Sequence, residues 1–583
     1  MLSDELTVCL ILTAPLYAAF TSMLFPVGRI AVALAGAVWL GAATWFLLQV
    51  EPKPSLLVIG SWLGASVEPS LTVKLQFQFD TTTAITLGTA GLMLVLASSL
   101  IRREAPPESS GAGPGADTLG SLPVASSPKL LFLLFLCGVA CLATDLIVVV
   151  MAWLLLDVTL VQHLETSRKH VSARPLKPLQ ISSLLLIGVL ALTHSRHETT
   201  QLGDIYKKAT ADSQVDAASA RALLGSLVAL AIGLRAALLP GVLWLRRTFD
   251  SARPAELLVI PLATQIPATA LLLRLGYVVR VDPQPVLLCA GIAAAASAIA
   301  AAFAVAQRRP VAGLLLVQTA LFADAAAMFC SKQPVPAFPL HFFQVATVAG
   351  FGIALLATKS GTWHQHLTWA FLVVALTSFY YGSPFTVDAA WNWSSKDQLQ
   401  TFVQAALAAT QLLLPIALLR CLSHKAKSEV VFPVALIVSL PLLVGFIGVT
   451  LVYFARKSAI PMIPLNPWPI AGTAIGTLTV LKREHRVRAH SPAQPAIHFM
   501  EECGHVERLY KWLVSMPVRL VSRIVETFDR HLMGGSKEGT WLAHYSNLAE
   551  HATHLRDLDP RYTALAAVLC LAGILLALTS TWS

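Results

Sequence analysis

Apolar runs of about 20 residues recur along this chain, separated mostly by short polar breaks, and no other feature limits its fold so strongly. Hydrocarbon offers no partner to a backbone N–H or C=O, so a run of that length reads as a spanning helix. The runs fall near 6–25, 27–49, 80–101, 129–144, 145–164, 179–195, 221–246, 254–274, 284–307, 310–330, 338–358, 364–382, 401–421, 431–454, 465–481 and 562–582, sixteen in all. The fourth and fifth nearly join. Only 13% of the 583 residues are charged, against about 25% in an ordinary soluble protein. The expected fold is therefore an all-α polytopic membrane protein.

The basic residues give the orientation. The net charge of +10 is spread over short loops, which fits nucleic-acid binding badly and topology well. With the N-terminus outside, inside ends carry Arg102 and Arg103, then Arg168, Lys169, Arg174 and Lys177. Further inside ends carry Arg246, Arg247 and Arg253, then Arg308 and Arg309, then Arg420, Lys425 and Lys427, then Lys482, Arg483, Arg486 and Arg488. Outside loops carry fewer, among them Lys53, Lys74, Lys207, Lys208, Arg280 and Lys332, an imbalance of roughly two to one. This places both termini on the outer face of a bacterial-type inner (plasma) membrane. The acidic start "MLSDEL" lacks the basic lead-in and cleavage site of a signal peptide, so none is expected.

Three stretches depart from the pattern. Residues 104–128 are rich in Pro, Gly and Ser and read as an inside linker within 102–128. Residues 53–79 end in the alternating "LTVKLQFQF" and read as a small external β-hairpin. Residues 483–561 are mostly polar, yet Val506, Leu509, Leu513, Leu520, Ile524 and Phe528 recur at helical spacing. They predict an amphipathic helix lying along the cytoplasmic surface, bent at Pro517, with Arg508, Lys511, Arg519 and Arg523 flanking its apolar stripe. The expected organisation is 1–101 with the hairpin, linker 102–128, core 129–382, C-terminal helices 383–482, lateral segment 483–561 and final anchor 562–583.

Eight cysteines, Cys9, Cys137, Cys141, Cys289, Cys330, Cys421, Cys503 and Cys570, form no CxxC pair, so neither a disulfide framework nor an iron–sulfur site is read. No nucleotide loop, catalytic triad or metal spacing occurs, and "MGGSK" at 533–537 lacks Walker A spacing. No cofactor of the chain's own is expected.

The polar residues inside apolar runs carry the chemistry. Arg235 interrupts the run 221–246. A guanidinium stays protonated, so it stabilises an anion or repels a passing proton and carries none itself. An unpaired charge at membrane centre costs at least about 2.5–3.5 kcal/mol. Asp157 is the candidate partner; the alternative is that it faces headgroups where its helix ends. Asp324 is a second intramembrane carboxylate, or a cap beside a polar loop. His341 lies on an apolar face, as a relay or as a satisfied core histidine. Gln265, Gln318 and Gln344 bind water along a hydrated axis or cross-link helices, and Pro261 and Pro267 should loosen the eighth span.

Sixteen spans, the early hairpin and the lateral helix together resemble the large antiporter-like membrane subunit (L type) of respiratory complex I, a family related to Mrp-type antiporter subunits. The strongest stretch is "GLRAALLPGVLWLRRTFDSARPAELLVIPLATQIPATALLLR", with Arg235, Pro240, Trp244, Pro254 and Arg274 on matching positions. "ATDLIVVVMAWLLLD" is similar to the fifth-helix motif, Trp153 matching its tryptophan. "RRPVAGLLLVQTA" places Gln318, "FPLHFFQVATVAGFGIALL" places His341, and "VERLYKWLVSMPVRL" resembles the start of the lateral helix. The departures are as specific. Leu154 stands for the fifth-helix glutamate, Ile260 for the eighth-helix histidine, and Val345 and Ala349 for the second eleventh-helix histidine and the lysine after it. "FYYGSPFTVDAAWNW" has no lysine, Trp391 or Val387 standing in its place.

The resemblance implies proton translocation driven by redox chemistry elsewhere: a membrane-arm subunit of a complex I-like NADH:quinone oxidoreductase. Quinone and NADH would act only through partner subunits, and the lateral helix would clamp its neighbours. It also implies that the glutamate–lysine pair has moved one turn to become Asp157–Arg235, since Asp157 lies three residues past Leu154 on nearly the same face. The alternatives are a cation/proton antiporter or inorganic-carbon uptake subunit, and a structural paralogue that no longer pumps.

Overall fold

A computed structural model describes residues 4–25, 27–49, 54–62, 73–99, 101–102, 122–123, 127–167, 177–211, 217–236, 260, 262–275, 284–307, 323, 326, 398–422 and 467–481. Residues 1–485 and 486–583 form separate compact units, and the second lies outside the described residues. So do the expected linker interior, the lateral helix and the last span.

The described chain is mostly helical. Helices α1 (Asp4–Leu24) and α2 (Gly28–Leu48) precede strands β1 (Ser55–Trp62) and β2 (Val73–Phe79), which pair antiparallel from Ser55↔Phe79 to Trp62↔Val73 around a bulge between Val58 and Gly60. The residues joining them, 63–72, lie outside the described set. Helix α3 (Thr81–Ser99) follows, then the short parallel pair β3 (Ile101–Arg102) and β4 (Leu122–Pro123), which brackets the Pro/Gly/Ser-rich stretch. Then come α4 (Ser127–Leu142), α5 (Leu146–Ser167), α6 (Lys177–His197), α7 (Leu202–Ala211) and α8 (Ala217–Arg235). The last described are α9 (Gln265–Arg274), α10 (Gln284–Gln307), α11 (Gln398–Leu422) and α12 (Pro467–Leu481).

Five helices among the described residues are long and apolar enough to cross a membrane, at Glu5–Leu24, Gly28–Leu48, Leu146–His163, Leu179–His197 and Gln398–Ile416. Tyr17, Phe20, Met23, Ile30, Leu34 and Trp45 of α1 and α2 are exposed, as hydrocarbon-facing side chains are. The interior is centred on α4, whose Leu130, Leu131, Leu133, Leu134, Cys137 and Cys141 are fully buried. Trp39 fixes three helices at once. Its indole N–H donates to the Ile11 carbonyl of α1 at 2.7 Å, and its ring covers Gly138 of α4. Gly36 of α2 and Gly91 of α3 face each other so closely that a Cβ on either would meet the other's carbonyl oxygen. Small residues permit this backbone approach where no water drives helices together.

One end of the bundle gathers several loops. Residue 77 of β2 bridges Ala143, and Asp145 bridges Gln201. The Thr144 N–H donates to the Gln76 carbonyl at 3.0 Å, and Leu146 N–H to the Thr200 carbonyl at 2.9 Å. Arg274 at the end of α9 donates to the carbonyls of Ala143 and Gln78. The strand pair, the α4–α5 turn, the α6–α7 turn and the end of α9 therefore share a side of the molecule. All four stand on one side in the alternation of spans read from the sequence.

Local capping explains where helices begin. Asp80 and Thr83 exchange hydrogen bonds at 2.8 Å each, a reciprocal cap on α3. Asp145 Oδ1 accepts the Ile147 N–H at 2.9 Å and starts α5, separating two runs that nearly join in sequence. Glu198, at φ 49, ends α6 in the left-handed conformation.

The structure differs from the expected spans in three places. The run 221–246 is expected as one helix, yet α8 ends at Arg235 with a turn at Ala236. The run 254–274 is also interrupted. Ile260, Leu262 and Ala263 are helical, and a turn at Thr264 (φ −117, ψ −82) precedes α9. Pro267 removes the N–H that would bind the Ala263 carbonyl. Helix α7 occupies what is expected as loop; its polar residues carry no span signal, although one side of it, with Leu202 and Ile205, is buried.

Candidate functional site

Arg235 is fully buried at the C-terminal end of α8. A helix ends in unpaired carbonyls and a partial negative charge, which favours a cation there. The guanidinium is held on several sides. Its Nη1 lies 3.0 Å from Asp157 Oδ1 of α5. Nη1 also donates to Ser183 Oγ of α6 at 3.3 Å, and Nη2 is 3.5 Å from the Trp153 carbonyl. Its Nε donates to the Ala263 carbonyl at 3.0 Å. Cζ sits 4.2 Å from the centroid of the Trp153 ring, within cation–π range.

Asp157 is 5% exposed, and its Oδ2 accepts the Ser183 hydroxyl at 2.5 Å. Ser182, the preceding residue, donates instead to the Ala231 carbonyl of α8 at 2.7 Å. Consecutive helical residues point about 100° apart, so the two serines tie α6 to two different neighbours. The indole N–H of Trp153 is buried and has no hydrogen-bond partner among the described residues.

The site lies deep. Asp157 stands eleven residues past the start of α5 at Leu146, about 16 Å at 1.5 Å per residue. Ser183 stands fourteen residues before the end of α6 at His197, about 21 Å by the same measure. A hydrocarbon core is about 30 Å thick, so both lie well inside a span of that length.

The structure thus brings together Asp157, Arg235 and Trp153 of the residues singled out in the sequence. Gln265 is buried at the first position of α9, next along the chain from the Thr264 turn. Arg274 stands apart, at the opposite end of α9, where it binds carbonyls of the loop cluster. Asp324, His341, Gln318, Gln344, Pro240, Trp244 and Pro254 lie outside the described residues. Ile260 is buried, and Leu154 packs partly buried against the core. Among the described residues no group of three His, Cys, Asp or Glu side chains could hold a metal ion. Two members of the site escape sequence reasoning. Ser183 looks like any serine in an apolar helix, although the tandem "SS" at 182–183 marks a polar spot in its run. The Ala263 carbonyl is backbone, signalled only by the proline four residues later.

No family model matches the chain, and no curated protein matches its sequence. Solved structures do match its fold. A chain of respiratory complex I from Thermus thermophilus with bound NADH superposes with TM-score 0.58 at 17% identity, over 81% of this chain and 99% of that one. A chain of the Mrp complex from Dietzia sp. DQ12-45-1b gives 0.56 at 16% identity, over 99% of this chain and 63% of its own length. A chain of the membrane-bound sulfane sulfur reductase, an archaeal respiratory membrane complex, gives 0.57 at 14% identity, over 81% and 99%. The chain shares its fold with these membrane subunits. All three neighbours are chains of multi-subunit membrane complexes. Within this fold, the end of α8 meets the turn that precedes α9, and that turn supplies Arg235 with the Ala263 carbonyl.

Proposed function

We propose that the chain is an antiporter-like membrane-arm subunit of a complex I-like NADH:quinone oxidoreductase. It couples quinone reduction in partner subunits to proton translocation, and the Asp157–Arg235 pair stands on its proton path. The observation that carries this reading is the pair itself, 3.0 Å apart and buried between apolar helices. Buried ion pairs are a poor way to stabilise a fold, because desolvation offsets their attraction. Ionisable groups inside membrane spans mark ion pathways. The roles divide by chemistry. Arg235 is a fixed positive charge, and Asp157 is the group able to take and release a proton. The partnerless Trp153 N–H beside the guanidinium suits a bridging water. The lateral segment 483–561 would lie along the cytoplasmic surface and clamp neighbouring subunits.

A second reading, a structural paralogue that no longer pumps, is favoured by Ile260 and Leu154, both apolar where the resemblance implies a histidine and a glutamate. The test separates the two. Inside-out membrane vesicles carrying the assembled complex are energised with NADH, and proton uptake is followed. Asp157→Asn is expected to lower uptake at least tenfold per electron delivered, with the complex still assembled. Uptake unchanged in both Asp157→Asn and Arg235→Gln would leave only the scaffold.

A further inference from the structure

We propose that Ser183 is the positioning residue of the buried pair: it carries Asp157 through both protonation states while Arg235 stays fixed. This rests on the reading of Asp157 as a proton-bearing group.

The restraints on the two charges are unequal. Arg235 has anchors that do not involve Asp157: the Ala263 carbonyl at 3.0 Å, the face of Trp153 at 4.2 Å and the Ser183 oxygen at 3.3 Å. The Ala263 carbonyl has no helical N–H competing for it from four residues on, because residue 267 is proline. Asp157 is held by Arg235 and by the Ser183 hydroxyl alone among the described residues. When the pair opens, it opens from the aspartate side. Few other groups bear on it. Among the described residues, Cys137 of α4 is a neutral thiol near Arg235, and Arg235 is the charge that faces Asp157. The nearest titratable residue along α5 is His163, six positions on, and α6 presents hydroxyls at this level rather than charges.

A serine hydroxyl has one proton to give and two lone pairs to offer. With Asp157 ionised, Ser183 gives its proton to Oδ2 and accepts from Arg235 Nη1. When Oδ2 takes a proton from the path, the new acid O–H donates to the Ser183 oxygen. The serine hydrogen then turns to the Leu179 carbonyl one turn back, the acceptor a helical serine ordinarily uses. Only the acid O–H bond is made, and it breaks when the proton leaves. Ser182 supports the exchange by holding α6 to α8 at Ala231, so the hydroxyl of Ser183 keeps its place.

Infrared difference spectra of the intact complex in lipid, taken between alkaline and acidic buffer, read this directly. A carboxyl C=O band that disappears in Asp157→Asn belongs to Asp157. In Ser183→Ala the band is expected to move to higher frequency, because its acid has lost a hydrogen-bond partner. In Ser183→Thr, which keeps the hydroxyl, it is expected back at the wild-type position, with proton uptake restored from an at least tenfold loss. An Asp157 band unmoved in Ser183→Ala overturns the role of Ser183 and leaves the proton path standing. No Asp157 band in the wild type at any pH overturns both.

Discussion

Arg235 donates its Nε hydrogen to the Ala263 carbonyl at 3.0 Å. That acceptor exists because Pro267, four residues on, brings no N–H to it. One interrupted helix thus supplies the anchor for the charge at the end of another. The turn at Thr264 is part of the electrostatics of the site as well as of its shape. Helix α9 starts beside the guanidinium and ends on the loop cluster through Arg274, so a single 10-residue rod connects the deep site to one end of the bundle.

The pair should behave as one unit. Arg235→Gln leaves a buried carboxylate without its cation and should cost about 3–5 kcal/mol of stability, with Asp157→Asn similar in kind. The double variant Asp157→Asn/Arg235→Gln removes both charges and should be more stable than the sum of the singles by about 1–3 kcal/mol. Thermal unfolding of the four proteins in one detergent measures the difference. Strictly additive losses would mean that the two charges do not interact.

How much of this was readable before the structure differs by element. The early spans were legible because hydrocarbon demands long apolar runs, and α1, α2, α5 and α6 follow them to within a few residues. Asp157 and Arg235 were legible because charges in such runs are costly. The pairing followed from a three-residue shift along one helical face. The end of α8 at Arg235 was not legible: the apolar run continues through Leu245 with no breaker before Pro240. Ser183 was hidden because its usual partner in a helix is its own backbone. Helix α7 and the Asp145 network were hidden because polar loop residues carry no periodic signal strong enough to read.

Asp145 gives a pH prediction. It is fully buried outside the spans, where burial pushes its carboxyl above the ordinary range. Hydrogen bonds from the Ile147 N–H, the Thr200 hydroxyl and the Gln201 amide pull the other way without cancelling it. A carboxyl raised on folding binds its proton more readily in the folded state. Its contribution to stability is fully present below the ordinary carboxylate range and is lost as pH rises through the raised value. The stability of Asp145→Asn relative to the wild type should therefore grow with pH across that acidic window and level off above it. Paired unfolding curves at several pH values give the difference directly, and a difference independent of pH refutes the assignment.

Arg274 should matter for mechanical continuity. Arg274→Gln frees the carbonyls of Ala143 and Gln78 from their shared cation. Leaving buried acceptors unsatisfied costs about 1–3 kcal/mol each, less where water reaches them. The expected result is faster amide exchange in β2, residues 73–79, and in the α4–α5 turn, with α1 and α2 unaffected. Exchange unchanged in β2 would show that the strand pair is held without α9.

The contact between α2 and α3 makes the last prediction, with a built-in control. A Cβ at Gly91 would lie 2.5 Å from the Gly36 carbonyl oxygen and 2.9 Å from the Leu40 nitrogen, both backbone atoms that cannot swing aside. Gly91→Ala should force the helices apart and destabilise by about 1–3 kcal/mol, as overpacking does. Gly41, also on α2, has open space where its Cβ would stand. Gly41→Ala should therefore show only the helix-propensity gain, about 0.5–1 kcal/mol of stabilisation. Opposite signs for the two alanines in one thermal-unfolding series would establish that the backbone approach of α2 and α3, and no general intolerance of added methyls, sets the cost. Equal effects would place the α2–α3 contact elsewhere along the pair.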